Sequence, residues 1–291
     1  MKKKSMVSFV LILLFCYPTI GIAQGDTILD VEYYPPSGES KNVAIMFLGG
    51  SEGGMPHLSI EKYTTRGYPC FKVGYFGTEN TSAHLEMIPL EYFEEAIKKF
   101  KSQPEVGAKK IVVFGGSKGG ELALLLASTY KQIEGVIARV PSSVVFQGIG
   151  GPLKTSSWSY KGQPLPFVPY YQPFDYSKVV NNQWIELYEL SITQTEAVEK
   201  ATIKVENING PVLIFTGKED AMWPSSKMGN MIIKRLNDNK FPHWYKHYAY
   251  ENAGHSFDDI SSMGGTPEGN NHARIDSEKR IFTYLHRLSD K

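Results

Sequence analysis

The fold is decided by residues 111–128, which read IVVFGGSKGGELALLLAS. A short apolar run leads into the turn GGSKG at 115–119, and an apolar helical segment follows at once. A Gly-x-Ser-x-Gly turn between a strand and a helix is typical of a nucleophile elbow, which holds a serine hydroxyl above the end of a sheet. The turn strains the backbone at Ser117, and a Cβ atom at Gly115 or Gly119 would crowd the neighbouring strand and helix. A phosphate-binding loop is a poorer interpretation, because the Lys-Ser/Thr pair that ends such a loop is missing.

Short apolar runs alternate with amphipathic segments on both sides of this stretch, which indicates a mostly parallel sheet flanked by helices. Together with the elbow, the alternation predicts an α/β-hydrolase fold. The predicted strands are Val43–Leu48, Cys70–Tyr75, Lys110–Phe114, Ile133–Ala138, Val212–Thr216 and His243–Tyr248. The predicted helices are His57–Arg66, Pro89–Lys101, Lys118–Tyr130, Ser226–Leu236 and Ile275–Leu288.

One long segment, Pro141–Asn209, interrupts the alternation. It is rich in Pro, Tyr, Ser and Trp, contains GQPLPFVPYYQPF at 162–174, and has a helix-like piece only at Thr193–Lys200. Long insertions of this kind are usually functional, as lids or binding loops. We therefore expect a single α/β-hydrolase domain over residues 24–291, with a Pro- and aromatic-rich cap insertion at about 141–209.

A serine hydroxyl becomes a useful nucleophile only when a base takes its proton and an acid orients that base. In this fold the chain order is serine, then acid, then histidine. Asp220 follows the predicted strand Val212–Thr216 and is the expected acid; the adjacent Glu219 is the alternative, since one residue decides which carboxylate faces the site. His255 is the expected base, because it lies in a loop after the last predicted strand, a setting that the other histidines lack.

The oxyanion formed during such a reaction needs two backbone N–H donors. One is expected from Lys118, the residue after the nucleophile. The other is expected from the loop GGSEGG at 49–54, which follows the strand Val43–Leu48, with Ser51 as the prediction and Gly50 or Glu52 as alternatives.

The aromatic residues of the cap insertion are candidates to line an apolar acyl pocket. The alternative is that they pack against one another within the cap. The candidates are Trp158, Tyr160, Phe167, Tyr170, Tyr171 and Trp184.

Composition excludes several classes of protein. Of 291 residues 42% are hydrophobic, and 31 Lys+Arg nearly balance 30 Asp+Glu, so the chain can fill a core and is not disordered. A net charge of +1 gives no long-range attraction to nucleic acid or anionic membranes. No HExxH motif occurs, and Cys16 and Cys70 are the only cysteines, so no metal site is expected.

The N-terminus has the pattern of a secretory signal peptide. Three lysines at 2–4 precede the apolar run Met6–Phe15, and Gly21-Ile22-Ala23 supplies the small residues of a cleavage site. The run is too short to span a bilayer. A lipoprotein signal at Cys16 is the alternative, although Phe15 fits poorly before it. We expect cleavage after Ala23, a secreted or periplasmic protein, and no membrane span in the mature chain.

A series of motifs resembles the C-terminal catalytic domain of acyl-CoA thioester hydrolases and bile acid-CoA:amino acid N-acyltransferases. These motifs are LGGSEGG (48–54), LEYFEEAI (90–97), GGSKGGELALLLAS (115–128), TGKEDAMWPS (216–225) and ENAGHSF (251–257). The resemblance implies an α/β-hydrolase fold, no cofactor and attack on the carbonyl of a small-molecule acyl ester or thioester. It assigns the nucleophile to Ser117, the acid to Asp220 and the base to His255.

The resemblance leaves the reaction partly open. The acyltransferases of this family use a cysteine nucleophile, whereas this chain has Ser117, which favours water over an amine as acceptor. Export would separate the protein from the CoA pool, so the acyl chain and the leaving group are open, as is the oligomeric state. Acyl transfer to an amine and a non-catalytic binding function on the same fold are the alternatives.

Overall fold

The computed structural model describes residues 27–180, 184–258 and 263–290, so the predicted signal peptide at 1–23 lies outside the described residues. In chain order the strands are Asp30–Tyr34 (β1), Val43–Leu48 (β2), Cys70–Gly74 (β3), Ile88–Pro89 (β4), Lys110–Gly116 (β5), Ile133–Arg139 (β6), Trp158–Tyr160 (β7), Gln163–Pro164 (β8), Val212–Gly217 (β9) and Tyr245–Tyr250 (β10). Within these ranges seven strands form a central sheet in the order β1-β3-β2-β5-β6-β9-β10, while β4, β7 and β8 form a small separate sheet. β1 pairs antiparallel with β3, and the other neighbours of the central sheet are parallel.

The helices cover both faces of the central sheet. They are Glu61–Thr64 (α1), Leu90–Lys101 (α2), Lys118–Thr129 (α3), Ser177–Val180 (α4), Trp184–Ser191 (α5), Thr195–Ala201 (α6), Ser225–Asp238 (α7) and Pro267–Ser289 (α8), with a 3₁₀ turn at Val205–Asn207. Along β2, Met46 packs in the core beneath α2, α3 and α7, whereas its neighbours Ile45 and Phe47 pack beneath α1 and α8. This alternation explains why β2 is apolar throughout, because a strand buried on both faces has no solvent side. None of the described helices is both long and apolar enough to cross a bilayer.

The architecture confirms the predicted α/β-hydrolase fold class, with a mostly parallel sheet flanked by helices. Most predicted elements are present, with ends shifted by one or two residues. The antiparallel edge strand β1 was not predicted, because Asp30–Tyr34 is only partly buried and lacks an apolar run. Since the carboxyl ends of parallel strands meet at one edge of the sheet, the loops after β2, β5, β6 and β9 converge there.

The predicted helix His57–Arg66 was wrong in extent, since only Glu61–Thr64 is helical. The Pro56 carbonyl accepts a hydrogen bond from Leu58 N, so the chain turns before the helix begins. Ile60, at the helix start, supplies no side-chain cap for the first N–H groups. The residues before the helix are thereby free to form a wall of a cavity described below.

The C-terminal helix α8 begins eight residues before the predicted start at Ile275. Its first turn is specified by Thr266, whose hydroxyl accepts a hydrogen bond from Gly269 N at 3.1 Å, and by Pro267 at the first helical position. Both features are ordinary helix-start signals in the sequence. The helix packs through Ile281 and Leu285 against the sheet.

The segment 141–209 is folded around an aromatic cluster rather than extended over the surface. The described part contains α4, α5, α6, β7, β8 and the 3₁₀ turn, and the predicted helical piece near Thr193–Lys200 is present as α6. No helix occurs within the Pro-dense residues 162–174, as predicted. Phe146 and Tyr188 pack against Trp223, which follows β9, with ring centroids 6.0 and 5.4 Å from the indole. The cap is thus joined to the loop after β9.

His247 on β10 is a partly buried histidine that packs between β9 and α7. Its Nε2 lies 2.7 Å from Thr216 Oγ1 on β9, and a Cβ atom on Gly229 of α7 would lie only 2.7 Å from the ring. Burial lowers the pKa of His247 from 6.5 to about 4. The unfolded chain therefore takes up a proton on this side chain at a higher pH than the folded protein does.

We expect the free energy of unfolding to fall as the pH is lowered from 6.5 towards 4, by up to about 3 kcal/mol from His247 alone. His247→Gln removes the titrating group and should flatten this part of the pH dependence, as measured by urea unfolding across the range. His286→Gln, at an exposed histidine of α8, is the matched control and should follow the wild type. Parallel curves for His247→Gln and the wild type would contradict the assignment.

Candidate active site

The elbow is built as the sequence predicts. β5 ends at Gly116, α3 begins at Lys118, and Ser117 between them has φ 54° and ψ −123°. A Cβ atom on Gly115 would lie 2.0 Å from the carbonyl oxygen of Gly119, and one on Gly119 would lie 2.2 Å from that of Gly49. The predicted need for glycine at both positions is confirmed, because the turn, the helix and the end of β2 leave no room for a side chain.

Hydrogen bonds fix the serine in this strained turn. Ser117 N donates to the carbonyl of Arg139 at the end of β6, at 2.9 Å. The Ser117 carbonyl in turn accepts from Gly120 N and Glu121 N, at 2.9 and 3.1 Å. Both ends of the residue are therefore held, one by the sheet and one by the first turn of α3.

Ser117, His255 and Asp220 form one continuous hydrogen-bonded chain. His255 Nε2 lies 2.9 Å from Ser117 Oγ, and His255 Nδ1 lies 2.9 and 3.0 Å from the two carboxylate oxygens of Asp220. An ionised carboxylate can only accept, so Nδ1 carries the proton and Nε2 is the acceptor for the serine hydroxyl. His255 and Asp220 are both buried, with 7% of each residue exposed.

Asp220, rather than its neighbour Glu219, contacts His255. Its Oδ1 also accepts from Met222 N and Trp223 N, at 3.0 and 3.2 Å, whereas Glu219 is exposed. The Trp223 ring packs edge-on against the imidazole at 5.8 Å, and Trp223 Nε1 donates to the Val140 carbonyl. The loop after β9 thus holds both the acid and one side of the histidine.

The loop after β2 approaches the serine through Gly50. A Cβ atom on Gly50 would lie 3.3 Å from Ser117 Cβ, while Gly50 N donates to Glu52 Oε1 at 2.9 Å. The buried hydroxyl of Tyr75 donates to the Gly49 carbonyl at 2.6 Å and so fixes the start of the loop. Ser51 is exposed. Its predicted role as a donor stays a prediction, and Gly50 is the loop residue that lies against Ser117.

Lys118 adds a buried ion pair directly behind the nucleophile. Its Nζ lies 2.9 and 3.0 Å from the carboxylate oxygens of Glu121, one turn along α3, and both side chains are almost fully buried. Glu121 also accepts from Trp158 Nε1 at 2.8 Å and from Phe146 N at 3.4 Å. Burial raises the pKa of Glu121 and lowers that of Lys118, while attraction between the two charges opposes both shifts. The network ties the elbow helix to the cap.

A cavity of about 220 Å³ opens beside the catalytic candidates. Ser117, Gly50, Glu52 and His255 contribute to its wall, and so do further residues, most of which the sequence analysis did not single out. These are Phe47, Leu48, Gly49, Pro56, His57, Leu58, Phe114, Gly115, Gly116, Arg139, Val140 and Ser256. Arg139 could have been found from the sequence, because it follows a predicted buried strand at the edge where sites of this fold lie.

None of the six aromatic candidates of the cap lies in the wall of this cavity. Trp158 is fully buried, and its indole N–H donates a hydrogen bond to the Glu121 carboxylate instead. Tyr170 and Trp184 pack in the cap cluster with Tyr188, which is the self-packing alternative. Phe167 packs against the main core, Tyr171 N donates to Ser191 Oγ, and Tyr160 is exposed. Their expected role in binding an acyl chain stays a prediction.

The described residues contain no group of three or more His, Cys, Asp or Glu side chains arranged to hold a metal ion. Cys70 is buried in the core, and burial raises the pKa of its thiol. The thiolate form that a cysteine nucleophile needs is therefore disfavoured at this position.

The fold and the geometry at the elbow define an α/β-hydrolase. Among solved structures, an acylaminoacyl peptidase from Pyrococcus horikoshii aligns with a TM-score of 0.61 at 15% identity, over 90% of this chain and 40% of that one. A Klebsiella pneumoniae protein assigned as a dienelactone hydrolase aligns with a TM-score of 0.54 at 12% identity, over 89% of this chain and 92% of that one. At these identities the likeness concerns the fold alone.

The chain belongs to the BAAT / Acyl-CoA thioester hydrolase C terminal family, whose model matches residues 88–259. It is 27% identical to human acyl-coenzyme A thioesterase 1, over 87% of this chain and 61% of the relative. It is 26% identical to mouse bile acid-CoA:amino acid N-acyltransferase, over 76% of this chain and 50% of the relative. The chain therefore spans about half to three fifths of the length of these relatives, and the predicted family resemblance is confirmed.

Removing one side of the buried pair should destabilise the protein strongly. Glu121→Ala leaves the Lys118 ammonium buried without a partner and should lower the free energy of unfolding by about 3–5 kcal/mol in urea titrations. Glu94→Ala, which removes an exposed partner of Lys98 on α2, is the matched control and should cost less than about 1 kcal/mol. Equal losses for the two variants would show that the buried network does not fix the elbow helix.

Proposed function

We propose that the protein is a serine hydrolase that cleaves an acyl ester or thioester through an acyl-enzyme. The observation that carries the proposal is the hydrogen-bonded chain from Ser117 Oγ through the His255 imidazole to the Asp220 carboxylate. In this arrangement His255 Nε2 takes the hydroxyl proton as Oγ attacks the carbonyl, and Asp220 holds Nδ1–H and stabilises the imidazolium that forms. His255 then gives the proton to the leaving group, and water releases the acyl group in a second, equivalent step.

The oxyanion of each tetrahedral intermediate needs hydrogen-bond donors close to Ser117, where the loop with Gly50 also lies. Lys118 N–H lies at the start of α3, where a first-turn N–H has no partner within the helix. For the second donor we propose the loop after β2. Ser51 is the residue predicted from sequence, and Gly50 is supported by its approach to Ser117. If Gly50 N–H is the donor, the oxyanion replaces the Glu52 carboxylate that now accepts from it.

The chemistry of the substrate is supported by the family. The relatives are named as acyl-coenzyme A thioesterases and as an acyltransferase acting on bile acid-CoA, so an acyl thioester is the parent substrate class. We propose water as the acceptor because the chain has a serine nucleophile at the elbow. Transfer to an amine is the second candidate, and the mouse N-acyltransferase relative favours it.

We propose that the protein acts outside the cytoplasm, with residues 1–23 removed as a signal peptide and residues 24–291 forming one hydrolase domain with its cap insertion. The support is the sequence pattern of the N-terminus: the basic run at 2–4, the apolar run to Phe15 and the small residues before Ala23. N-terminal sequencing of the exported protein tests this, since the mature chain should begin at Gln24 and an uncleaved chain would refute it.

Substitutions of Ser117, His255 and Asp220 should show that Ser117, and not another serine, is the nucleophile. A fluorophosphonate probe should label the wild-type protein and fail to label Ser117→Ala, while Ser128→Ala, a serine of α3 bonded only to its own helix, should be labelled normally. His255→Ala should lower turnover by about 10³-fold or more, and Asp220→Asn by about 10³–10⁴-fold. Absence of labelling in the correctly folded wild-type protein would refute the proposed chemistry.

Leaving group and acceptor are distinguished by product analysis. We expect the mature protein to hydrolyse p-nitrophenyl esters of graded chain length and to release free acid whether or not glycine is added. Acyl-CoA assayed alongside at the same chain length reports the leaving group. Formation of N-acylglycine in preference to free acid would replace hydrolysis by acyl transfer, and a clear preference for acyl-CoA would place CoA, rather than a smaller group, as the natural leaving group.

A further inference from the structure

Arg139 lies in the wall of the cavity beside Ser117 and has no counter-ion among the described residues. It ends β6, and its backbone carbonyl accepts from Ser117 N, so the side chain starts next to the nucleophile. Its guanidinium lies over the rings of Phe114 and Phe257, 5.6 and 5.7 Å from their centroids. The two rings hold the group in place, but they satisfy none of its N–H donors in the plane.

The donors of this guanidinium have no partner in the described part of the chain. Nε is buried with no hydrogen bond, and no described carboxylate lies within ion-pair distance of the side chain. The Glu278 carboxylate raises the pKa of Arg139 by charge attraction, but it already accepts a hydrogen bond from Lys62 Nζ at 2.8 Å. Arg139 as a whole is only partly buried, but its Nε is buried, and leaving a buried donor of a charged group without a hydrogen bond is costly.

A second unsatisfied group lies in the same wall. Ser256, the residue after His255, has its Oγ buried without a hydrogen-bond partner in the described residues. Among the described residues Glu52 is the one carboxylate of the cavity wall, and it accepts a hydrogen bond from Gly50 N on the loop after β2. Arginine and a serine hydroxyl in one cavity wall supply several hydrogen-bond donors and a positive charge, which suit a carboxylate better than a neutral group.

Resting on the proposed hydrolase function, we propose that Arg139 and Ser256 bind a carboxylate carried by the acyl part of the substrate. The natural substrate is then a monoester or monothioester of a short dicarboxylic acid. One end of the acyl group presents its carbonyl to Ser117, and the other end places its carboxylate against the guanidinium. Hydrolysis releases the free dicarboxylic acid and the alcohol or thiol.

The size of the cavity indicates which part of the substrate carries the anionic group. It favours the acyl group over the leaving group. A volume of about 220 Å³ is below the range of about 300–1,000 Å³ that takes a drug-sized ligand. It holds a short acyl chain but not a nucleotide. In a CoA thioester the phosphates are separated from the reacting carbonyl by the whole pantetheine arm, so they do not reach a group that lies next to the nucleophile.

Kinetics on matched thioesters test the assignment. The S-ethyl monothioester of glutaric acid and its methyl ester have the same chain and leaving group and differ in the terminal charge. We expect the wild type to prefer the charged substrate by about 10- to 100-fold in kcat/KM, and Arg139→Gln to abolish that preference. Arg66→Gln, at an exposed arginine that stacks on Phe282 away from the cavity, is the matched control and should keep the preference. No preference in the wild type, or a preference that survives in Arg139→Gln, would overturn the proposal.

Substrates with neutral acyl chains test the alternative that Arg139 binds an anionic group of the leaving group. Pentanoyl-CoA and S-ethyl thiopentanoate differ only in the CoA moiety, and we expect Arg139→Gln to leave their ratio of kcat/KM as it is in the wild type. A selective loss of activity towards pentanoyl-CoA would show that Arg139 serves a phosphate of the leaving group, and would overturn the acyl assignment.

A binding measurement in a variant that cannot turn over substrate tests the carboxylate site independently of the proposed hydrolase activity. In a Ser117→Ala background, monomethyl glutarate should raise the melting temperature, whereas dimethyl glutarate at the same concentration should not. The shift should disappear in Ser117→Ala/Arg139→Met and decrease in Ser117→Ala/Ser256→Ala. If it persists in the Arg139 variant, the anion site is refuted even if hydrolysis is confirmed. If it is lost there while the wild type proves inactive, the site stands and the hydrolase proposal fails.

Discussion

The backbone of Ser117 is the constraint on which the site depends. A non-glycine residue at φ 54° and ψ −123° is strained by about 1–3 kcal/mol, and the surrounding structure must hold it there. The sheet does so through the Arg139 carbonyl, and α3 does so through the bonds that Gly120 and Glu121 donate to the Ser117 carbonyl. Gly119 lets the helix reach the end of β2, which brings Gly50 against the serine. The contacts that hold this strained residue therefore also fix the start of α3 and the loop after β2 beside it.

The remaining groups are fixed by buried polar contacts that cross from one element to another. Glu121 takes hydrogen bonds from Lys118, Trp158 and Phe146, so the elbow helix and the cap are held by one carboxylate. Trp223 does the same on the other side, because its backbone N–H donates to Asp220, its indole N–H donates to Val140 and its ring packs on His255. Neighbouring elements position the catalytic candidates in this way, and the cap takes part through packing. Arg139 is the exception, since its charge has aromatic neighbours but no ion-pair partner in the part of the chain that the structure describes.

The sequence was sufficient to predict those features of the site that depend on a local pattern of residues. The elbow at 115–119 and His255 after the last strand were predictable because glycine spacing and strand ends are local features, and the structure brings both residues together. Asp220 was predicted as the acid, but Glu219 stayed open as the alternative, since the choice depends on how the loop turns after β9. The aromatic residues of the cap were predicted for a pocket because of their composition, yet Trp158 is directed into the core by Glu121, which is 37 residues away in sequence. Long-range contacts of this kind leave no local signal. Arg139, by contrast, had a local signal in its position at the end of a predicted buried strand, and it was overlooked.

The central claim is that Ser117 becomes acylated during turnover. The most direct test is mass spectrometry of wild-type protein quenched with acid while it hydrolyses a slow acyl ester, followed by peptide mapping. We expect a mass increase equal to one acyl group on the peptide that contains Ser117, and its disappearance once the substrate is exhausted. An acyl group on Cys70 or on another serine, or turnover with no covalent species in a mutant slowed in deacylation, would contradict it.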